Sequence, residues 1–113
     1  MKHEMRLLPK PFELIRSGVK TVEIRLNDEK RRKIQAGDTI TFRKLPEEEE
    51  SIVAEVEALY RFSTFEELFK SLPFEAFGCA GYSMDRMLSA ACEIYTPERE
   101  SKYGALGIKI KLL

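Results

Sequence analysis

The sequence predicts a small α+β domain: a mixed β-barrel of about five or six strands with helices inserted between them. Three observations predict it. Short stretches alternate with a two-residue period, as where Val22, Ile24 and Leu26 oppose Thr21, Glu23 and Arg25. Stretches of helical spacing interrupt them, as in Phe65, Leu68, Phe69 and Leu72. Strands and helices do not alternate at one regular spacing, which favours a small barrel over a doubly wound sheet. The 113 residues suit a single domain spanning 1–113, able to bury a core without disulfides.

Residues 5–8 read as the first strand. Pro11 suits the first turn of a helix, Phe12, Leu14 and Ile15 form its apolar side, and Gly18 ends it in the left-handed conformation. The alternating stretch 20–26 is the second strand. Asn27 is placed to cap a short helical turn. Asp28 and Glu29 precede Lys30, Arg31, Arg32 and Lys33 there, the order a helix dipole favours. A turn at Gly37-Asp38 leads into a strand at 39–43, with Ile40 and Phe42 on one side. The acidic run Glu47 to Glu50 is a solvated loop before a long strand at 51–61.

Ser63 and Glu66 have capping-box spacing and open the helix of Phe65, Leu68 and Phe69, which Pro73 stops. The loop Gly78-Cys79-Ala80-Gly81 is the most permissive stretch. Ser83 caps a helix with Met84, Met87, Leu88 and Ala91 on one face, and Thr96-Pro97 starts a short helix that Gly104 ends. In the last strand, 105–113, Leu106, Ile108, Ile110 and Leu112 face inwards, and Lys109 and Lys111 outwards.

Composition narrows the function classes. At 43% hydrophobic and 34% charged residues the chain is globular. Nineteen Lys and Arg balance nineteen Asp and Glu, so overall charge cannot hold nucleic acid; only local clusters can. Cys79 and Cys92 have neither zinc-knuckle nor redox-pair spacing. His3 is the only histidine and lies near the terminus, which disfavours a Ser-His-Asp triad. No set of carboxylates and histidine has metal-ligand spacing, and no phosphate-binding glycine motif occurs. Neither metal nor cofactor is expected. Charges interrupt the start of the chain and no apolar run reaches about 18 residues, so a cytoplasmic protein without a signal peptide or membrane span is expected.

The leading candidate site is the segment from Lys20 to Arg25. Pleating puts Thr21, Glu23 and Arg25 on one face, with Lys20 at the strand entrance. An arginine fork suits a phosphate or a base edge. The plain alternative is a solvent-facing strand with an ordinary surface ion pair. Lys30 and Arg31 extend the positive rim, although adjacent helical cations cannot all face one ligand. Tyr103, and less so Tyr82, could stack on a base.

These residues resemble the ASCH domain family of the PUA-like superfamily. The resemblance rests on Pro9-x-Pro11-Phe12-x-x-Ile15-x-x-Gly18, Lys20-Thr21-x-Glu23-x-Arg25, Asn27-Asp28-Glu29-Lys30-Arg31, Gly37-Asp38 and Tyr103-Gly104. It implies a pseudo-barrel with a cleft lined by Lys20–Arg25, and binding of RNA or a modified nucleotide there. Lys20, Glu23, Arg25, Lys30, Arg31 and Tyr103 would then contact the ligand. Some ASCH proteins are amidohydrolases acting on N4-acetylcytidine, and others are described as ribonucleases. The implied alternative is therefore a metal-independent hydrolase with Lys20, Thr21 and Glu23 as catalytic groups. Amidohydrolase members carry a Thr three residues after the Lys; in this chain Glu23 stands there.

Overall fold

The helices begin where the sequence supplies a proline or a side-chain oxygen. In the computed structural model, which describes residues 1–113, helix α1 (Pro9–Arg16) opens on Pro9, whose missing amide hydrogen would be unpaired there in any case. The side chains of Thr64, Ser83 and Thr96 accept from backbone amides at the starts of α2 (Phe65–Ser71), α3 (Met84–Ile94) and α4 (Pro97–Tyr103). Two local expectations shift. The α2 cap is Thr64 with Glu67, one residue later than Ser63 with Glu66, because this register turns Phe65, Leu68 and Phe69 inwards together. Asp28, not Asn27, caps the 3-10 turn Arg31–Lys33, accepting from the Arg31 amide at 3.0 Å. Asn27 instead accepts from Arg61.

The strands are β1 (Lys2–Leu7), β2 (Val22–Leu26), β3 (Thr39–Lys44), β4 (Ser51–Phe62) and β5 (Ala105–Leu112). They form one sheet in the order β1-β3-β4-β5-β2. β1 runs parallel to β3, and the other pairs are antiparallel. β4 pairs with β3 over 51–55 and with β5 over 54–62, and a register shift between Val56 and Ala58 marks a bulge in the β4–β5 ladder, the kind of irregularity that bends a strand and adds twist. The expected barrel is thus present as a five-stranded, curled half-barrel with helices inserted around it. β1 and β2 are its edges, and the seam between them is open. β1 starts at Lys2, earlier than the sequence suggested, because Lys2 to Leu7 pair with Thr39 to Lys44.

The sheet separates two apolar clusters. Inside the curl lie Leu7, Phe12, Ile15, Phe42, Leu106 and Ile108, closed over by α1. On the other face Val22, Leu26, Phe65, Leu68, Phe69 and Met87 pack β2 against α2 and α3. Each such large side chain contributes about 1.5–3 kcal/mol of burial. No helix is long and apolar enough to cross a membrane.

Candidate functional site

Residues paired directly across neighbouring strands point to the same side of a sheet. Glu23 lies opposite Ile108 and Arg25 opposite Leu106, and both partners belong to the inner cluster. The polar side of β2 therefore faces the barrel interior at its seam, rather than solvent. Glu23 is only 3% exposed. A lone buried carboxylate would be strongly unfavourable, so its partners decide whether this position can exist.

Three residues supply them. The Lys20 ammonium lies 2.8 Å from Glu23 Oε1, and the Ile24 amide donates to the same oxygen at 3.0 Å. Arg25 donates to Oε2 from Nε at 3.1 Å and from Nη2 at 3.0 Å. Burial pushes the Glu23 carboxyl up, but the Lys20 and Arg25 charges outweigh it and hold the group below its ordinary value. It is an ionised acceptor, and its oxygens are already engaged. Whether Glu23 and Arg25 meet each other or a ligand was open from sequence; they meet each other.

The surrounding backbone fixes this arrangement. Arg25 Nη2 also reaches the Arg6 carbonyl on β1 at 2.9 Å, so one guanidinium spans the open seam. The outward amide of Ile24 is taken by Glu23 and its carbonyl by the Tyr95 hydroxyl at 3.3 Å, so β2 does not present a bare edge. Lys20 is held through its amide, which donates to the Leu14 carbonyl at 2.9 Å. The glycine loop presses on its stem: a Cβ at Gly78 (φ +76) would lie 3.1 Å from Lys20 Cβ.

Beside this network a cleft of about 240 Å³ opens between the β1–α1 corner, β2 and α3. Most of its walls are apolar, including Leu8, Pro11, Met87, Ala91 and Ile94. Leu8 and Ile94 stand at its rim, 61% and 66% exposed. Lys20, Glu23 and Arg25 form the polar end. Arg25 Nη1 has no partner in the chain, and Lys20 has spare ammonium protons. The cleft can therefore offer hydrogen-bond donors at one end of an apolar slot.

Of the residues singled out in the sequence, Lys20, Glu23 and Arg25 converge here. Thr21 is exposed and lies outside the cleft walls, its amide bonded to the Ala76 carbonyl at 2.9 Å. Lys30 is exposed, and Arg31 pairs with Asp28 at 3.2 Å, neither lining the cleft. Tyr103 lines a different, wider depression of about 490 Å³ with Asn27, Arg61, Ser63 and Lys102. Arg86 covers the Tyr82 ring at 3.8 Å. Sequence reasoning missed Leu8, Ile94 and Tyr95. The helical stripe of Met87 and Ala91 extends by one turn to Ile94 and Tyr95 and could have pointed to them. His3 is also better placed than expected: it lies in β1, with Nε2 2.8 Å from Asp38 Oδ2.

The comparisons agree with this architecture. The family model for the ASCH domain matches residues 5–113, and the chain belongs to that family. The crystal structure of hypothetical protein PH0355 is similar to it at 34% identity and a TM-score of 0.89, with 100% of each chain covered. The solution structure of protein PF0455 from Pyrococcus furiosus shares 32% identity at a TM-score of 0.78, covering 100% of this chain and 98% of that one. The crystal structure of ASCH from Zymomonas mobilis shares the fold at 17% identity and a TM-score of 0.55, over 96% of this chain and 65% of that one. No curated protein matches the chain.

Proposed function

We propose that this chain is an RNA- or nucleotide-binding module that takes one nucleobase into the seam cleft. The observation that carries it is the pairing of an apolar slot with donors held by a buried, fully engaged carboxylate. Pockets for drug-sized ligands run to about 300–1,000 Å³, so a cleft of about 240 Å³ suits a smaller unit such as a single base. Leu8, Pro11 and Ile94 would flank the ring. Arg25 Nη1 and the Lys20 ammonium would donate to acceptors on its edge, as arginine does to guanine O6 and N7. Glu23 would hold both cations in place rather than read the base. Membership of the ASCH family supports a nucleic-acid ligand.

The test is a titration of the protein against short single-stranded RNA and a panel of nucleosides, N4-acetylcytidine included. Lys20→Ala and Arg25→Ala should each weaken binding about tenfold or more, the loss of roughly 1.4 kcal/mol of donor contact. An unchanged affinity in a folded Arg25→Ala variant would remove this site. The Lys20–Glu23 contact is the observation that favours a hydrolase instead. Because Thr21 lies outside the cleft, that reading needs another nucleophile, such as water. Product that forms with the wild type and disappears in Lys20→Ala would replace the binding module with an enzyme.

A further inference from the structure

The chain carries no net charge, yet its charges are unevenly neutralised. Around α1, β1 and β3 four cations are tied to carboxylates, Arg16 and Lys44 to Glu13 and Glu50, Arg6 to Glu48, and Arg43 to Glu4, while Lys2 and Lys10 point out unpaired. The wide depression at the far end of β2 is different. Arg61 reaches only neutral acceptors there, Asn27 Oδ1 at 3.2 Å and the Ile34 carbonyl at 3.1 Å. Arg32 is not part of the lining but adjoins it, donating from Nε to the carbonyl of the lining residue Asn27 at 2.8 Å. Lys102 sits with Nζ 5.1 Å from the centre of the Tyr103 ring. None of these three cations is paired with a carboxylate. Glu67 is the one acid in the lining, and its carboxylate accepts from the Thr64 hydroxyl at 3.2 Å.

We infer that this depression is a second contact surface, one that grips the phosphodiester backbone of the single-stranded RNA whose base enters the seam. The inference rests on the reading of the seam cleft given above. Arg61 and Arg32 are each anchored through part of the guanidinium, and both keep Nη protons for phosphate oxygens. The hydroxyls of Ser63 and Ser101 line the same hollow, and Tyr103 offers a ring on which a neighbouring base can stack. The two surfaces complement each other: the cleft is narrow and mostly apolar, the depression wide and mostly polar. β2 joins them. Asn27 follows Arg25 by two residues, about 7 Å of extended chain, so a short strand can touch both. The seam would thus read a base while the depression supplies the salt-sensitive part of the affinity.

The experiment measures oligonucleotide affinity across a range of salt concentrations, and mononucleoside affinity in parallel, for the wild type, Lys102→Ala, Arg61→Gln and their double variant. Each lost phosphate contact on a single strand lowers the slope of log K against log salt by about 0.7. The double variant should therefore lose about 1.4 from that slope, with nucleoside binding unchanged. Oligonucleotide binding with an unaltered slope in the folded double variant overturns the inference, as does nucleoside binding without tighter binding of the oligonucleotide. If Arg25→Ala leaves oligonucleotide affinity intact while Lys102→Ala lowers it, the seam reading fails and the depression stands. Equal binding of polyglutamate would make the depression a surface for acidic polymers and overturn its assignment to RNA. Failure to bind either nucleoside or oligonucleotide would overturn both.

Discussion

Glu23 accepts from three residues, and each leaves a trace in the design of the seam. Lys20 fixes one oxygen, Arg25 the other, and the Ile24 amide completes the shell. The partners are themselves mostly covered, with Lys20 and Arg25 side chains 10% and 16% exposed. Removing the central carboxylate would leave two neighbouring cations without their counter-charge. Breaking a buried ion pair in this way costs about 3–5 kcal/mol. Glu23→Ala is therefore expected to lower the unfolding free energy by an amount in that range, read as a lower denaturant midpoint. A variant that unfolds at the wild-type concentration would show that water replaces Glu23 without loss. Replacing all three residues with apolar ones of similar size should cost less than Glu23→Ala, because no charge is then stranded.

At the scale of elements, short connections decide where the site groups end up. Gly78 lets the loop before α3 lie against the Lys20 stem. Gly104 joins α4 to β5 with φ +82 and ψ −177, a region open in practice to glycine alone. A Cβ there would sit 2.7 Å from the Phe62 carbonyl oxygen. The Gly104 carbonyl also accepts from the Asn27 amide at 3.0 Å, which ties this joint to the end of β2. Gly104→Ala should destabilise the fold by about 1–3 kcal/mol, read as a lower thermal or denaturant midpoint. An unchanged midpoint would mean that α4 and β5 can shift to admit the methyl group. The helix caps carry a related lesson. Ser63 with Glu66 and Thr64 with Glu67 have the same spacing, so local chemistry leaves the start of α2 ambiguous by one residue. Burial of Phe65 resolves it.

Across the whole molecule, ionised carboxylates set the response to acid. Glu13, Glu23, Asp38 and Glu50 are all held below their ordinary values, so each stabilises the fold above that value and loses its contribution as pH falls. Lys44 is the main cause at Glu13 and Arg16 at Glu50. For Asp38 the hydrogen bond with His3 comes first, followed by the Gln35 amide, and they lower the carboxyl from 3.8 to about 2. Asp38 thus ties the start of β1 to the turn before β3, and that tie weakens between pH 3.8 and about 2. Urea midpoints measured from about pH 5 downwards should fall for the wild type. Asp38→Asn should begin lower and converge on the wild type at the acid end. Parallel curves would show that Asp38 does not titrate with folding.

The sequence by itself determined the element types, most of the apolar faces and the neighbourhood of the site; Leu112, expected inside, is exposed at the end of β5, beyond the curl's inner cluster. Alternation in 22–26, helical spacing in α2 and α3, and turn chemistry at Gly37 and Gly104 are local signals, and they survive in the fold. It also pointed to Lys20, Glu23 and Arg25, because charged residues alternating with apolar ones on a strand are visible without a structure. What it could not determine was the direction of that polar face. Alternation separates two faces of a strand but does not say which is inside. Only the pairing of β2 with β5, opposite Leu106 and Ile108, turned Glu23 and Arg25 inwards. The open seam, the reach of Arg25 to Arg6, the apolar rim from α3 and the departure of Tyr103 to a second hollow depend on contacts between residues far apart in the chain. Such contacts follow from how the sheet curls, and no local pattern encodes them.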